Sequence, residues 1–387
     1  MPRVLDSDIQ MLRSNVRRFI DDKLIPLEAE VDAEGAIDTS KVAELKAEAK
    51  ALGYFALNMP EEFGGGGLTH VQMCHVEEEF GRTMDALIRR TFGQVYPMLL
   101  KCQGDQVDRY LKPTIAGEKI CAMAITEPGA GSDAAAIATT ATRDENFWVL
   151  NGTKHFISDG DIADYIILMA VTDREKGPRG GITLFLVDKD TPGFSVARVQ
   201  KMMGHRGYGH AELVFDNCRI PAENTLGEVG EGFRIIMGTV AGIRLGHIGA
   251  RAVGLATRIL DMCTEYAKER RQFGNSIGEF QMVQQMLADS ATEIFATRSM
   301  VYDVASELDA GIENRTKISM VKLYASEMAT RVADRGVQIF GGMGFCKDMP
   351  LERFYRDTRV LRIFDGTSEI HRMLIARGLL KEGAEHF

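Results

Sequence analysis

Apolar residues recur at helical spacing from the start of the chain. Ile9, Leu12, Val16, Phe19 and Ile20 share one face behind an acidic and serine cluster at Asp6–Asp8, and Pro26 ends the pattern. A second helix is predicted over 41–52. Four consecutive glycines, Gly64–Gly67, make the segment 60–68 a loop, because such a run cannot hold a helix. The spacing predicts one helix from Val71 to Arg90 and helical sequence on to about Gly117. Near Ile120 the period changes to two. The runs 147–150, 155–157, 165–171, 182–187 and 212–215 are rich in β-branched or aromatic residues. Turn pairs such as Asn151-Gly152, Asp159-Gly160, Gly180-Gly181 and Pro192-Gly193 separate them. They predict an antiparallel β domain ending near Pro221. From about Gly232 the pattern is helical again. Val253, Ala256, Ile259, Leu260, Cys263 and Ala267 trace one stripe, and Gly341-Gly342-Met343-Gly344 breaks the last helices.

The order helices, strands, helices predicts an α+β fold with domains at 1–120, 121–235 and 236–387. It argues against a doubly wound parallel sheet, as does the lack of G-x-G-x-x-G opening a βαβ unit. A chain of 387 residues, 45% hydrophobic and 26% charged, buries a large core without disulfides. Its six cysteines are far apart with no C-x-x-C pair, so they read as buried thiols of a reducing compartment, and no metal site is expected. A net charge of −9 argues against nucleic-acid binding. No run of eighteen apolar residues predicts a membrane span, and the acid-rich start has no apolar signal core, so the cytoplasm is the expected location.

Two neighbouring segments carry the first candidate chemistry. In Ala124-Ile-Thr-Glu-Pro-Gly-Ala-Gly-Ser-Asp133, small residues let the backbone approach a ligand, and N–H groups beside Ser132 suit an anion such as a pyrophosphate. In Leu150-Asn-Gly-Thr-Lys-His-Phe-Ile-Ser158, strand alternation puts Phe156 and Ser158 on one face, where a ring and a hydroxyl suit a flat heterocycle and its edge. Arg270-Arg-Gln-Phe-Gly274, Gln338-Ile-Phe-Gly-Gly342 and Arg362-Ile-Phe-Asp-Gly-Thr-Ser-Glu-Ile370 complete the set.

With these five segments in order, the chain resembles the acyl-CoA dehydrogenase family of flavoproteins over essentially its whole length. The Pro-Glu-Glu-Phe-Gly-Gly loop and Lys201-Met-Met-Gly-His-Arg206 belong to the same resemblance. It implies a helical N-terminal domain, a middle antiparallel β domain and a C-terminal four-helix bundle. It also implies one FAD per subunit, a homotetramer built as a pair of dimers, an acyl-CoA substrate and an electron-transferring flavoprotein as acceptor. By the resemblance, Ile125, Thr126 and Ser132 touch flavin and pyrophosphate, with Ser132 also near the substrate. Phe156 stands where the family usually has Trp, and Ser158 where Thr is common at the flavin N5 region. Arg270, Phe273, Gln281, Gln338, Gly341 and Gly342 match segments that reach a neighbouring subunit's FAD, and Thr367 and Glu369 match contacts after the catalytic position.

The family's reaction removes a proton from Cα and passes hydride from Cβ to flavin N5, with the thioester carbonyl polarised by an oxyanion hole. The resemblance assigns the base position, normally Glu, to Asp365 and the oxyanion-hole N–H to Gly366. The alternative base site, on the helix opening the C-terminal domain, falls at Ile243 or Arg244, and no Asp or Glu occurs between Gly232 and Leu260. Aspartate reaches on the order of 1 Å less far than glutamate, and a misplacement of that size costs roughly 10²-fold in rate. Burial against the flavin is expected to raise the Asp365 pKa; the competing expectation is an ion pair with Arg362 or Arg372. Arg244 is a substrate-binding candidate one residue out of the family's register, which a helical bulge would restore. Arg89 and Arg90 are expected on a solvated helix face. Arg89 is kept as a substrate-binding candidate, since an inward Arg would imply a carboxylate on the acyl group. Tyr208 and His210 are expected in a surface loop. Two rival readings stay open: a flavoenzyme of the same fold with other chemistry, as in nitroalkane oxidase or on cyclic or dicarboxylic acyl-CoAs, and a non-catalytic flavoprotein that binds a partner.

Overall fold

The computed structural model describes residues 7–93, 95–312 and 314–386, so Asp6 of the first cluster lies outside it. Six helices open the chain: α1 (Ser7–Phe19), α2 (Glu28–Glu34), α3 (Thr39–Ala51), α4 (His70–Phe80), α5 (Asp85–Phe92) and α6 (Lys112–Ile115). Their starts follow local chemistry. Asp38 accepts the Ser40 and Lys41 N–H groups ahead of α3, and Thr69 with Gln72 forms a capping box ahead of α4. The single helix predicted from Val71 to Arg90 is two helices, α4 and α5. The chain breaks at Gly81, where a Cβ would strike the backbone of Arg251 in the C-terminal helices. Phe19, Phe80 and Phe92 pack together here, with the rings of Phe80 and Phe92 stacked at 4.5 Å.

Eight strands form the central sheet: β1 (Cys121–Ala124), β2 (Thr140–Asp144), β3 (Phe147–Ser158), β4 (Tyr165–Val171), β5 (Ile182–Asp188), β6 (Phe194–Val199), β7 (His210–Pro221) and β8 (Thr225–Leu226). Their order is β6-β7-β3-β2-β4-β5-β8, with β1 beside β4. The sheet is not wholly antiparallel as expected: β1 and the end of β2 run parallel to β4. The long connections between these strands allow that, since parallel neighbours need a crossover rather than a hairpin. Strand β4 is buried along its whole length. Tyr165, Ile167 and Met169 enter the core under the helices, while Ile166, Leu168 and Ala170 enter the core on the other face. The predicted turn at Asn151-Gly152 is instead a bulge inside one long strand, β3. A second irregularity between Lys154 and Ile157 leaves Phe156 with φ +60°. Strict alternation therefore fails where it was used to pair Phe156 with Ser158.

The C-terminal helices are α7 (Gly232–Ile243), α8 (Arg251–Glu269), α9 (Gln281–Asp309), α10 (Arg315–Phe340), α11 (Leu351–Val360) and α12 (Ser368–Glu382). Between α7 and α8 the segment Arg244–Ala250 is π-helical. Small residues let the bundle close: Ala252, Ala256, Ala325 and Ala329 share its core with Ile259, Val301 and Val321. Among the described residues no helix is long and apolar enough to cross a membrane.

Glu28 joins the first and last helical layers. It is 3% exposed and accepts from Arg258 (2.7 and 2.9 Å), Arg353 (2.6 Å) and the Thr83 hydroxyl (2.8 Å). Burial alone would raise its pKa, but the charges and hydrogen bonds of Arg258 and Arg353 outweigh it and hold the carboxyl below its usual value. The linked stability is present above the unfolded pKa, about 4.3, and is lost as pH falls through the depressed folded value. We expect Glu28→Gln, which leaves two guanidiniums short of a counter-charge, to destabilise the protein by about 3–5 kcal/mol at neutral pH. Urea midpoints check this: the variant's should be lower at pH 7 and flatter than the parent's between pH 5 and 3.

Candidate active site

Three tethers build the loop after β1. The His155 N–H donates to the Thr126 carbonyl (2.7 Å), so β3 positions the loop directly. The buried Lys154 ammonium donates to the Ile125 carbonyl (2.9 Å) and to Glu127 (2.8 Å). Glu127 in turn accepts from the Ala138 and Thr139 N–H groups (2.6 and 2.9 Å). Burial pulls Lys154 down to about 8 despite Glu127. This bracing leaves the outer side of the loop clear. Ser132 is exposed, and a Cβ at Gly129 or Gly131 would meet nothing within 4 Å. Phe156 is 50% exposed beside the loop, its ring stacked on His155 at 4.0 Å. Ser158 is paired in the sheet with His210, and its hydroxyl is 3.3 Å from His210 Nδ1.

Asp365 and Gly366 form a tight left-handed turn, with φ +52° and +94°. Such a turn is strained for aspartate and survives because its carbonyls are held. Arg244 Nε donates to the Asp365 carbonyl at 2.8 Å and His371 Nε2 at 3.2 Å, while Lys322 Nζ donates to the Gly366 carbonyl at 2.5 Å. A Cβ at position 366 would strike the His371 ring. Lys322 is fully buried in α10, and burial draws it down to about 8. With three donors on the carbonyls, the side chain is left over. Among the described residues the Asp365 carboxylate makes no ion pair or hydrogen bond, and the Gly366 N–H has no acceptor. Arg362 and Arg372, the competing partners, both pair with Glu327 (3.1 and 3.5 Å). Burial raises the Asp365 pKa although the charges of His247, Arg244, Lys322 and Arg89 pull it down.

The segment 201–210 connects the Asp365–Gly366 turn to Ser158. His205 meets Phe364 edge-on at 6.1 Å, its Nδ1 is 2.8 Å from the Tyr208 hydroxyl, and Tyr208 lies 4.9 Å from His210. Tyr208 and His210 are therefore inside the site, not in the surface loop expected of them. Burial lowers His210 to about 4, so its ring is neutral at physiological pH. Arg89 and Arg90 also depart from expectation. Asp159, in the left-handed turn after β3, takes both Arg90 (2.5 Å) and Arg89 (3.3 Å), and Arg89 also pairs with Asp85 (2.6 Å). The face is an interior ion network rather than a solvated one, because a carboxylate from the sheet reaches between the two residues. A cavity of about 70 Å³ reaches Phe364, next to the Asp365–Gly366 turn. Phe80, Met84 and Phe364 line it together with Asp85, His247 and Arg251.

A further group stays apart from both clusters. Arg270, Phe273, Gln281 and Gln338 are exposed, Phe273 at 93%, and a Cβ at Gly341 or Gly342 would meet nothing. Tyr266, one turn before Arg270, stacks on Phe340 at 4.1 Å, which ties the two segments into one outward face. Thr367 caps α12 by accepting the Ile370 N–H (3.2 Å), and Glu369 is exposed in that first turn.

Sequence comparison agrees with this layout. Residues 6–118, 122–218 and 230–380 match the family models for the acyl-CoA dehydrogenase N-terminal, middle and C-terminal domains. The chain belongs to the acyl-CoA dehydrogenase family. It is 40% identical to an acryloyl-CoA reductase (NADH) of Anaerotignum propionicum, covering 97% of this chain and 95% of that protein. It is 38% identical to the CarC subunit of a caffeyl-CoA reductase–Etf complex of Acetobacterium woodii, covering 85% and 88%. The crystal structure of an acyl-CoA dehydrogenase from Geobacillus kaustophilus superposes with a TM-score of 0.90 at 34% identity, over 98% of this chain and 100% of that one. Acyl-CoA dehydrogenases are FAD-dependent, and this member has the parts for a flat ring with an anionic tail: an exposed aromatic face at Phe156, and an open glycine loop with the Ser132 hydroxyl.

Sequence reasoning missed the groups that hold this dehydrogenase's site in shape. Lys322 gave a usable sign, a lysine on the apolar stripe of Ile318, Val321 and Ala325. Lys154 and Glu127 gave none beyond lying inside the two motifs. We expect Lys154→Met, which strands Glu127 and frees the Ile125 carbonyl, to lower the flavin retained through gel filtration and to cost about 3–5 kcal/mol of stability. Full retention would show that the loop stands without this brace.

Proposed function

We propose that this flavoenzyme catalyses α,β-dehydrogenation of an acyl-CoA thioester with Asp365 as the Cα base. The observation that carries this reading is an unpaired carboxylate on a turn whose carbonyls are tied down by Arg244, Lys322 and His371. A base must be free to accept a proton and fixed enough to meet it. Asp365 takes the Cα proton, and the unpaired Gly366 N–H receives the thioester oxygen as negative charge develops there. When bound, FAD supplies the acceptor for the hydride that leaves Cβ. Ile125, Thr126 and Ser132 would hold it along the loop, with Phe156 and Ser158 beside its ring and Thr367 and Glu369 at the start of α12. Arg270, Phe273, Gln281, Gln338, Gly341 and Gly342 would meet the FAD of a neighbouring subunit, as in a homotetramer of paired dimers. Arg244 acts on the substrate side by holding the base turn. Arg89 is not assigned to a substrate carboxylate, because Asp85 and Asp159 already neutralise it, and it lines a second cavity with Lys46, Phe55 and Asp159 rather than the one beside Phe364.

The relatives named as reductases support a second direction for the same residues. Run backwards, Asp365 donates the proton to Cα, as microscopic reversibility requires. The Etf complex of the caffeyl-CoA reductase relative supports an electron-transferring flavoprotein as the redox partner of this chain.

Anaerobic addition of short acyl-CoAs should bleach the yellow flavin. Asp365→Asn should keep its FAD and bleach roughly 10²- to 10⁴-fold more slowly. In the parent the rate should fall as pH drops through the raised Asp365 pKa, on a limb above the ordinary carboxylate range, since the base acts ionised. Undiminished bleaching by Asp365→Asn would remove Asp365 from the mechanism. Oxygen uptake with nitroethane and no response to acyl-CoA would favour nitroalkane oxidation instead.

A further inference from the structure

The second cavity, of about 60 Å³, lies where three parts of the fold meet. Lys46 reaches it from α3, Arg89 and Arg90 from α5, and Asp159 from the turn after β3. No residue lines both this cavity and the one that reaches Phe364. Four cations line it, Lys46, Arg89, Arg90 and Lys119, against one carboxylate, Asp159. Asp159 is shared between Arg90 (2.5 Å) and Arg89 (3.3 Å), and Asp85 supplies Arg89 with a second partner (2.6 Å). With Asp85 counted, two carboxylates answer four cations, an excess of two positive charges.

Lys46 is the cation without a match. Among the described residues its ammonium makes no ion pair or hydrogen bond, and its company is the Phe55 ring at 5.8 Å. Asp164 acts on it only through space, being bound to Lys189 (3.0 Å) and to the Ile120 N–H (2.9 Å). Burial, with the charges of Lys50 and Arg90, lowers the Lys46 pKa, as expected of a cation held near other cations. The Lys119 ammonium donates to the Arg109 carbonyl (2.9 Å), which leaves its charge unanswered. Arg90 has a side chain 13% exposed and gives Asp159 only Nη2; among the described residues its Nε and Nη1 have no acceptor. Two neighbouring cations therefore keep donors free in one enclosed space.

We infer that this cavity binds one free phosphate-sized dianion between Lys46 and Arg90. The excess of two positive charges matches a dianion better than a carboxylate. At roughly 10–15 Å³ for each water held, the volume is room for about four to six waters, which suits a single tetrahedral ion and leaves little for an ester's organic part. Charge-assisted hydrogen bonds from both side chains would turn a repulsion between α3 and α5 into a bridge, and so stabilise the native fold. The site is independent of the acyl-CoA reading, since it shares no lining residue with the cavity near Asp365.

The experiment titrates the FAD-loaded protein with inorganic phosphate at pH 8, by calorimetry and by thermal unfolding. Sodium chloride holds the ionic strength constant, so that screening is equal in every arm. We expect one phosphate per chain and a melting temperature that climbs with phosphate concentration. Lys46→Met, which keeps the stem and removes the charge, should melt no lower than the parent in chloride alone and should weaken phosphate binding roughly 10- to 100-fold. Lys46→Arg should keep most of the affinity. Lys41→Met removes the same charge from the first turn of α3, where Lys41 pairs with Glu44 (2.9 Å) outside the cavity, and should leave phosphate binding unchanged. Acetate and glycerol 3-phosphate should bind far more weakly than inorganic phosphate. No phosphate binding by the parent overturns the inference, as do equal losses in Lys46→Met and Lys41→Met. Acetate binding as tightly as phosphate overturns the dianion, and glycerol 3-phosphate doing so overturns the free ion.

Discussion

The left-handed turn at Asp365 and Gly366 is the constraint on which the site depends. Aspartate at positive φ is disfavoured, and nothing in the turn's own sequence repays the strain. The compensation comes from elsewhere in the chain. Arg244 arrives from the π-helical segment, Lys322 from the buried face of α10 and His371 from the first turn of α12, and all three spend their donors on two adjacent carbonyls. Donors on the carbonyls rather than on the carboxylate are what leave the acid free. Had Lys322 or Arg244 bonded the side chain instead, the turn would be as well held and the carboxylate occupied.

The same separation of duties recurs around the cavity. Charged groups that would otherwise be costly in a closed space are matched to one another: Arg89 and Arg90 to Asp85 and Asp159, Arg251 to Glu77 and Asp85. Asp159 comes from the turn after β3, Asp85 and Arg89 from α5, and Arg251 from α8, so the network also welds three parts of the fold. Glu28 does a comparable job farther from the cavity, between α2, α8 and α11. Rigidity at the site thus comes from long-range ion pairs, while hydrophobic packing supplies the layers that carry them.

How much of this was legible differs by residue. Helices with an apolar stripe and a capping residue, such as α3 behind Asp38, were readable because period and cap are local properties. The Asp365–Gly366 turn and the glycine loop were readable as local turns, since the residues that form each are adjacent in the chain. The break between α4 and α5 was not, because Gly81 yields to the backbone of Arg251, 170 positions away in the numbering. Arg89 and Arg90 looked like a solvated pair on helical spacing alone. Their placement depends on Asp159, which reaches them from a turn of the sheet that no periodicity connects to α5. Tyr208 and His210 looked like loop residues for the same reason, until the base turn and β3 closed over them from either side.

By itself, the order of residues determined the succession of helices, sheet and helices, the positions of the glycine-rich turns, and the placing of Asp365 beside Gly366. These follow from steric preference and from the burial of apolar side chains, both decided within a few residues. Only the tertiary structure decided that the Asp365 carboxylate would be left unpaired and which arginines would be neutralised. Those outcomes are set by partners brought from distant segments, and the strength of such pairings comes from removing both members from water together, which no short stretch of chain can do alone.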